Sequence, residues 1–468
     1  MSVRRLIVVV LALALDACSL APPRVQPEPA VPTSWPAGDA YLRNSEATLP
    51  KVDYHELFRD ARLQALIARA VDNNQDLRLA VANIASARGQ LRVQRAQLFP
   101  QIGAAGIATR ADRGRVSTSN SGINAGGVTN TLAFDVGLSA FEIDLFGRVR
   151  SLSDAALQQL FGTEAALRSA RLSLVAEVAS AYVTLATDRS LLAIAKDTET
   201  AASRSVQLTE ARRAGGIAPR SDVRQAETVL AQARADRANQ ITLVAQDRNA
   251  IELLVGAPVT DADLAESIES VDGLFDEVPA GLDSRVLLRR PDVVQAEYFL
   301  YAANARIGAA RAAFFPTISL TAAAGFASGA LSTLFTRDAF AWSAGSAVSL
   351  PIFDAGARRG NLETVEAQRN AALATYQKTI QTAFREVADA LARRGTIEDQ
   401  VRAQSDLEAA ARDSYFLADA RYREGVDPFL SSLDAQRTLY TARRSLASIR
   451  RVRADNLVEL YRALGGSN

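Results

Sequence analysis

ARAAFFPTISLTAAAGF, residues 310–326, decides the fold. A helical run stops at Pro316, which cannot continue a helix and restricts Phe315 before it. From Thr317 the period becomes two. Ile318, Leu320, Ala322, Ala324 and Phe326 fall on one face, and Thr317, Ser319, Thr321 and Gly325 on the other. A turn-rich interval leads to a second alternating run of Phe340, Trp342, Ala344, Ser346, Val348, Leu350 and Ile352, and then to Phe353, Asp354 and another helical pattern. The reading is a two-stranded hairpin held at the ends of two helices.

The device occurs twice. RAQLFPQIG around Pro100 parallels RAAFFPTIS around Pro316, and FEIDLFGRVRS around Phe146 parallels VSLPIFDAGARRG around Phe353. ARRAGGIAP, with Gly216 and Pro219, parallels ARYREGVDP, with Gly425 and Pro428. Three matched places in one order define a tandem duplication. The Pro-to-Phe interval is longer in the first copy, which predicts a longer connection in the first hairpin.

Two hairpins supply four strands, at about 100–145 and 316–353. A closed barrel needs about eight or more, and an apolar strand face with open edges is viable neither in water nor in lipid. Cyclic association is the simplest remedy: a trimer would give twelve strands, and the sequence alone also allows a dimer.

Long helical patterns follow each hairpin. Arg148–Arg213 and Ala355–Glu424 are almost free of glycine, lack proline and are rich in good helix formers. At about 1.5 Å per residue such helices reach roughly 100 Å. Return helices are expected at Ser221–Val255 and Phe429–Leu464, joined through the Gly216/Pro219 and Gly425/Pro428 turns.

At the N-terminus, Arg4 and Arg5 precede an apolar run from Leu6 to Leu15 that is too short for a membrane span and suits a secretory signal. Cys18, the single cysteine, stands directly after Ala17 and is read as a lipidation site, which Leu15 and Ala17 suit and Asp16 does not; the alternative is a chance or buried thiol beside an ordinary signal cleavage. Ser19–Pro36 holds six prolines among small and polar residues and is expected to be an extended, solvated tether. The chain then divides into a signal peptide (1–17), a lipid-anchored proline-rich arm (18–50), a first repeat (51–256), an acidic connector (257–285) and a second repeat (286–468). The connector carries Asp261, Asp263, Glu266, Glu269, Asp272, Asp276, Glu277 and Asp283 with no Lys or Arg among them, and is expected to be a surface connector packed around the middle of the helical tube, its charges a solvated run rather than a docking surface.

A net charge of +1 with 22% charged residues gives no basic field for nucleic acid. No apolar run is long enough for a transmembrane helix, so any spanning part must be β. The one histidine, His55, the one thiol and the absence of a glycine-rich loop ending in Gly-Lys-Ser/Thr leave neither a metal cluster, nor a Ser/His device, nor a nucleotide engine. Neither enzymatic activity nor a cofactor is expected.

FEIDLFGRVRS (141–151), LLRRPDVVQAE (287–297), ARAAFFPTISLTAAAG (310–325), VSLPIFDAG (348–356), ARYREGVDPFLSSLDAQRTLY (420–440) and LYRALGG (460–466) together resemble the outer-membrane efflux lipoproteins of the TolC/OprM/NodT type. The resemblance covers essentially the whole chain after the signal. It implies a mainly α fold with a β-barrel contribution, in a homotrimer. Each chain would give four strands to a twelve-stranded outer-membrane barrel, continued by a periplasmic helical barrel. It also implies a periplasmic adaptor and an inner-membrane transporter, usually of the resistance-nodulation-division class. The chain would be a passive, lipid-anchored exit duct for small molecules such as drugs, toxic compounds or metal ions.

By the same resemblance Leu430, Asp434 and Arg437 match residues that narrow the periplasmic end of the tube, and Tyr422 matches a tyrosine that holds neighbouring helices. Positions 430, 434 and 437 share a helical face, and a threefold axis would gather Asp434 into a like-charge ring. The plainer alternative is an Asp434–Arg437 surface pair. Pro428 before Phe429 departs from the family pattern and stiffens the loop. Opening would move the Gly216 and Gly425 tips outward. A type I protein-secretion channel is the nearest rival; a periplasmic adaptor would show one hairpin within lipoyl sequence, and a coiled-coil scaffold no strand alternation.

Overall fold

The structure is a computed structural model that describes residues 54–113, 127–271 and 284–466, with 20–24 and scattered positions between 31 and 41. Cys18, the signal and the acidic positions Asp272, Asp276, Glu277 and Asp283 lie outside the described residues. Apart from single turns such as Tyr54–Leu57 and Ile268–Val271, the helices among the described residues are α1 (Ala61–Asn73), α2 (Gln75–Ala96), α3 (Arg148–Ala214), α4 (Arg220–Val255), α5 (Pro291–Ala312), α6 (Ala357–Arg423) and α7 (Phe429–Ala463). The strands are β1 (Ile102–Arg113), β2 (Gly127–Ile143), β3 (Thr317–Ser328) and β4 (Phe340–Ser349). The duplication is visible in the lengths. α3 and α6 both have 67 residues, α2 and α5 both 22, and β1 and β3 both 12.

Two compact units are present, and each draws on both repeats. The first takes the N-terminal residues through Pro27 with Asn83–Thr163 and Ala296–Tyr376. It holds one antiparallel sheet in the order β1-β2-β3-β4, so the two hairpins join through β2 and β3. The extra length of the first hairpin enters the strand rather than the connection. β2 has 17 residues against 10 in β4, whereas the connections, 114–126 and 329–339, differ by two positions. Part of that length is a bulge: Leu138 faces Ala322 but Phe141 faces Leu320, and Ala140 takes φ 49°. One extra residue there keeps Phe141 on the same face as Leu138.

Each strand-to-helix turn is closed by an ion pair. Arg148 reaches Glu142 at 2.6 Å before α3, and Arg358 reaches Asp354 at 2.6 Å before α6. Phe146 stacks on Phe315 with ring centres 4.7 Å apart, which ties the strand-to-helix turn of the first repeat to the α5-to-β3 turn of the second.

The N-terminal stretch departs from the expected solvated tether. Leu20, Ala21 and Pro22 are half-buried, Asn304 donates to the Pro22 carbonyl at 2.8 Å, and Arg24 forks onto Asp154 at 2.7 and 2.6 Å. Proline leaves its carbonyl free to accept, so an extended Pro-rich chain can dock as readily as it can dangle.

The second unit takes Glu28–Ala82, Glu164–Gln295 and Gln377–Asn468. Here the quoted motifs LLRRPD and LYRALGG meet. Buried Arg290 bonds Asp292 at 2.8 Å, Glu386 at 2.9 Å and the Ala463 carbonyl at 2.7 Å. A buried guanidinium is tolerable only when its donors are filled in this way.

The described part of the acidic connector packs on the helices through its apolar residues, and its surface carboxylates Asp261, Asp263 and Glu269 are paired. Leu264, Ala265, Ile268 and Val271 are buried, and the carboxylates meet arginines from elsewhere: Asp261 with Arg189 at 2.8 Å, Asp263 with Arg69 at 3.3 Å, Glu269 with Arg450 at 2.9 Å. The missing cations are supplied by α1, α3 and α7, a complementarity that no local window contains.

Candidate functional site

Two features have the makings of a channel, a pore wall in the first unit and a gate at helix tips in the second.

The wall follows from register. Phe134 faces Phe326, which faces Phe340; Val136 faces Ala324, which faces Trp342; Leu138 faces Ala322, which faces Ala344. All these side chains share one face, because paired residues of an antiparallel ladder point to the same side. The opposite face carries Asp135, Gly325 and Ala341 on one rung, and Gly137, Ala323 and Ser343 on the next. One face suits hydrocarbon and the other water.

Aromatic rings mark both ends of the apolar face. Phe335 packs on Phe326 and Phe134 with ring centres 5.6 and 6.3 Å apart, Phe340 packs on Phe326 at 5.7 Å, and Trp342 is exposed. At the other end Ile352 and Phe353 stand 94% and 88% exposed. From Thr317 to Phe326 the strand rises about 30 Å, or about 23 Å at a barrel tilt of about 40°. That matches the apolar band, about 25 Å tall, of outer-membrane barrels. β1 and β4 leave one edge each without a partner among the described residues. Among the same residues no helix is long and apolar enough to cross a membrane.

The helix tips are built alike. At the first, Gly216 N–H donates to Arg213 and Ile217 N–H to Arg212; at the second, Gly425 N–H donates to Tyr422 and Val426 N–H to Arg421. Both glycines take φ near 78°. This is a Schellman close, and the left-handed residue is why glycine stands at both places. Pro219 and Pro428 then open α4 and α7 in extended conformation.

On α7 the expected gate residues occupy one face. Leu430 is 61% exposed, and Asp434 and Arg437 are exposed too. The plain Asp434–Arg437 pair does not form, and neither residue makes an ion pair among the described residues. Tyr422 sits behind this face rather than on it. It is buried among Ala226, Phe429 and Leu433, with its ring centre 5.3 Å from that of Phe429. Burial pushes its hydroxyl pKa up, against the opposing charge of Arg212. Its Oη is buried without a hydrogen bond.

Two residues that the sequence reading missed complete the tips. Arg212 lies over the Tyr422 ring at 4.4 Å and donates to the Arg423 carbonyl at 2.8 Å, bridging first tip to second. Arg421, its counterpart in the repeat, instead forks onto Asp427 at 2.7 and 2.9 Å and holds that carboxyl below its ordinary range. The aligned ARRAGGIAP and ARYREGVDP contain the signal: Ala218 stands where the second copy has Asp427, leaving Arg212 without a partner in its own turn.

Farther along the helices, Glu199 of α3 takes Arg234 and Arg237 of α4, and Glu408 of α6 takes Arg443 of α7. Tyr440 of α7 donates to Asp236 of α4, and burial with that bond raises its pKa to about 12. The tips thus close a four-helix arrangement tied on several faces.

Outer membrane efflux protein is the family that matches, over residues 66–257 and 282–466. The chain is 43% identical over 459 residues to the toluene efflux pump outer membrane protein TtgC of Pseudomonas putida, covering 98% of this chain and 94% of that one. It is 40% identical over 460 residues to outer membrane protein OprJ of Pseudomonas aeruginosa, covering 97% and 94%. Among solved structures, the open state of the Neisseria gonorrhoeae MtrE outer membrane channel superposes with a TM-score of 0.81 at 35% identity, covering 96% of this chain and 98% of that one.

Proposed function

Because this chain belongs to the outer membrane efflux protein family and is the outer-membrane component of an efflux pump, we propose that it works as a homotrimeric, gated exit duct. The observation that carries this reading is the four-stranded sheet, apolar on one face, with both edges open. Three copies joined edge to edge would close twelve strands around the face that carries Asp135 and Ser343.

With no nucleotide or redox site in its sequence, the duct is driven from outside. A periplasmic adaptor and an inner-membrane transporter of the resistance-nodulation-division class supply energy and choose the solute. Relatives named for toluene, solvent and antibiotic efflux support small molecules as cargo. The adaptor opens the duct by drawing the Gly216 and Gly425 tips apart, widening the ring made by Leu430, Asp434 and Arg437. Cys18 carries the lipid that joins the chain to the outer membrane.

The test is crosslinking and planar-bilayer recording of purified protein in mild detergent. A trimeric ladder with single-channel current is expected. A monomer without current overturns the reading.

A further inference from the structure

Helix α5 contains a mid-helix glycine that neither the sheet nor the gate explains. Glycine in a helix interior costs about 1 kcal/mol relative to alanine, so Gly308 needs a reason. A Cβ there would meet the Ala21 nitrogen and Ser151 Oγ at 2.8 Å and the Ala21 Cα at 2.9 Å. The backbone of the N-terminal stretch lies directly on the helix, where a side chain would stand.

The contacts run in register. Arg24 lies 5.8 Å over the Tyr301 ring, the Pro22 carbonyl accepts from Asn304, Ala21 rests on Gly308, and the Leu20 carbonyl accepts from Arg311 at 3.5 Å. Tyr301, Asn304, Gly308 and Arg311 form one helical stripe. The N-terminal chain, read backwards from Arg24 to Leu20, therefore climbs α5 toward Pro316 and β3. Ser151 and Asp154 of α3 form the other side of the seat, and Asn304, Gly308 and Ser151 are buried in it.

The duplicated helix lacks this seat. The offset that matches Pro316 to Pro100 puts Ala85, Arg88 and Arg92 where Tyr301, Asn304 and Gly308 stand, and all three are exposed. The seat belongs to the second repeat alone.

We infer that Leu20–Arg24 is a docked strap, and that the seat made by Asn304, Gly308, Ser151 and Asp154 fixes where the N-terminus leaves the protein, at the foot of the sheet. The inference rests on the reading of Cys18 as an outer-membrane anchor for its purpose, though not for its geometry. Cys18 is two residues before Leu20, and two extended residues span at most about 7 Å. A lipid there would start within that reach of Leu20, beside the end of α5 that leads into β3, whereas a free tether would not fix its place.

Trypsin reports the strap directly, because cleavage after Arg24 requires that side chain to leave Asp154. In purified full-length protein, Gly308→Leu should speed this cleavage at least tenfold, read as release of the N-terminal fragment by mass spectrometry. Asp154→Ala and Asn304→Ala, which remove a bond without adding bulk, should speed it several-fold, and Arg92→Leu on the duplicated helix should leave it unchanged. Wild-type cleavage rates in Asp154→Ala and Asn304→Ala, or equally fast cleavage in Arg92→Leu, would overturn the strap. The fragment's mass separately reports whether Cys18 carries lipid, so loss of the anchor reading and loss of the strap are distinct outcomes.

Discussion

Arg212 and Tyr422, from different repeats, meet at the helix tips, with the guanidinium carbon over the ring and 4.4 Å from its centre. Such a contact is worth about 0.5–1 kcal/mol when exposed and about 2 when desolvated. The same arginine also holds the Arg423 carbonyl. Arg212→Ala should therefore loosen one tip from the other, speeding hydrogen exchange around Gly425 and raising the time spent in conducting states in planar bilayers. Arg212→Lys should recover little, since a point charge cannot both stack and reach the carbonyl. Unchanged exchange in Arg212→Ala would show that the contact does not hold the tip.

Asp434 stands exposed with no ion pair among the described residues, one turn from Leu430 and near Arg437. In the proposed trimer three such carboxylates would face one axis. Asp434→Ala should raise single-channel conductance and weaken the preference for cations over anions. The same conductance in wild type and variant would remove Asp434 from the gate.

The fold was legible because it is written in local signals. Pro316 ends α5, period-two alternation marks β3 and β4, and the glycine–proline turns place the ends of α3 and α6 to within a residue or two. The duplication let each weak signal be read twice. What stayed hidden depends on distant partners. The carboxylates of the connector resemble a solvated run until Arg189, Arg69 and Arg450 are beside them. Arg212 and Arg421 occupy the same place in the repeat, yet one reaches across to Tyr422 and the other to Asp427 in its own turn. Gly308 carries no local signal of its role, because the chain that needs its missing side chain is almost 300 positions away.

Asp247 of α4 is half-buried beside the buried Asp188 of α3, and desolvation first, then the Asp188 charge, pushes its carboxyl up to about 7 against the pull of Arg451 on α7. Asp455, also on α7, is raised as well, chiefly by burial and despite Arg451. Asp247 Oδ2 is buried with no donor, which suits a carboxyl that carries its own proton. An acid whose pKa is higher folded than unfolded binds more protons in the folded state between the two values. Its contribution to stability is full below the ordinary carboxylate range and is lost as pH rises through about 7. Thermal stability should fall between pH 5 and pH 8, taken as about 5 and about 8 to bracket that transition. Asn at 247 mimics the protonated form, so Asp247→Asn should flatten the slope and melt higher at the alkaline end. A variant with the wild-type slope would assign the pH dependence elsewhere.

Two glycines of the sheet make a matched pair for the pore wall. Gly325 on β3 faces Asp135 on β2, and a Cβ there would run into the Phe134 carbonyl and the Asp135 backbone. Gly345 on β4 faces Thr321, and a Cβ there meets nothing. Backbone cannot yield as a flexible side chain does, so Gly325→Ala must push β2 and β3 apart at the junction between the hairpins. That junction is the only place where the two repeats pair as strands among the described residues. Overpacking of this kind costs about 1–3 kcal/mol, repeated in each copy of an oligomer. Gly325→Ala should lose the heat-modifiable folded band on gels at a lower temperature than wild type, while Gly345→Ala should hold it or hold it longer, because alanine reduces the freedom of the unfolded chain. Equal melting of the two variants would mean that β2 and β3 are not packed this closely in the membrane.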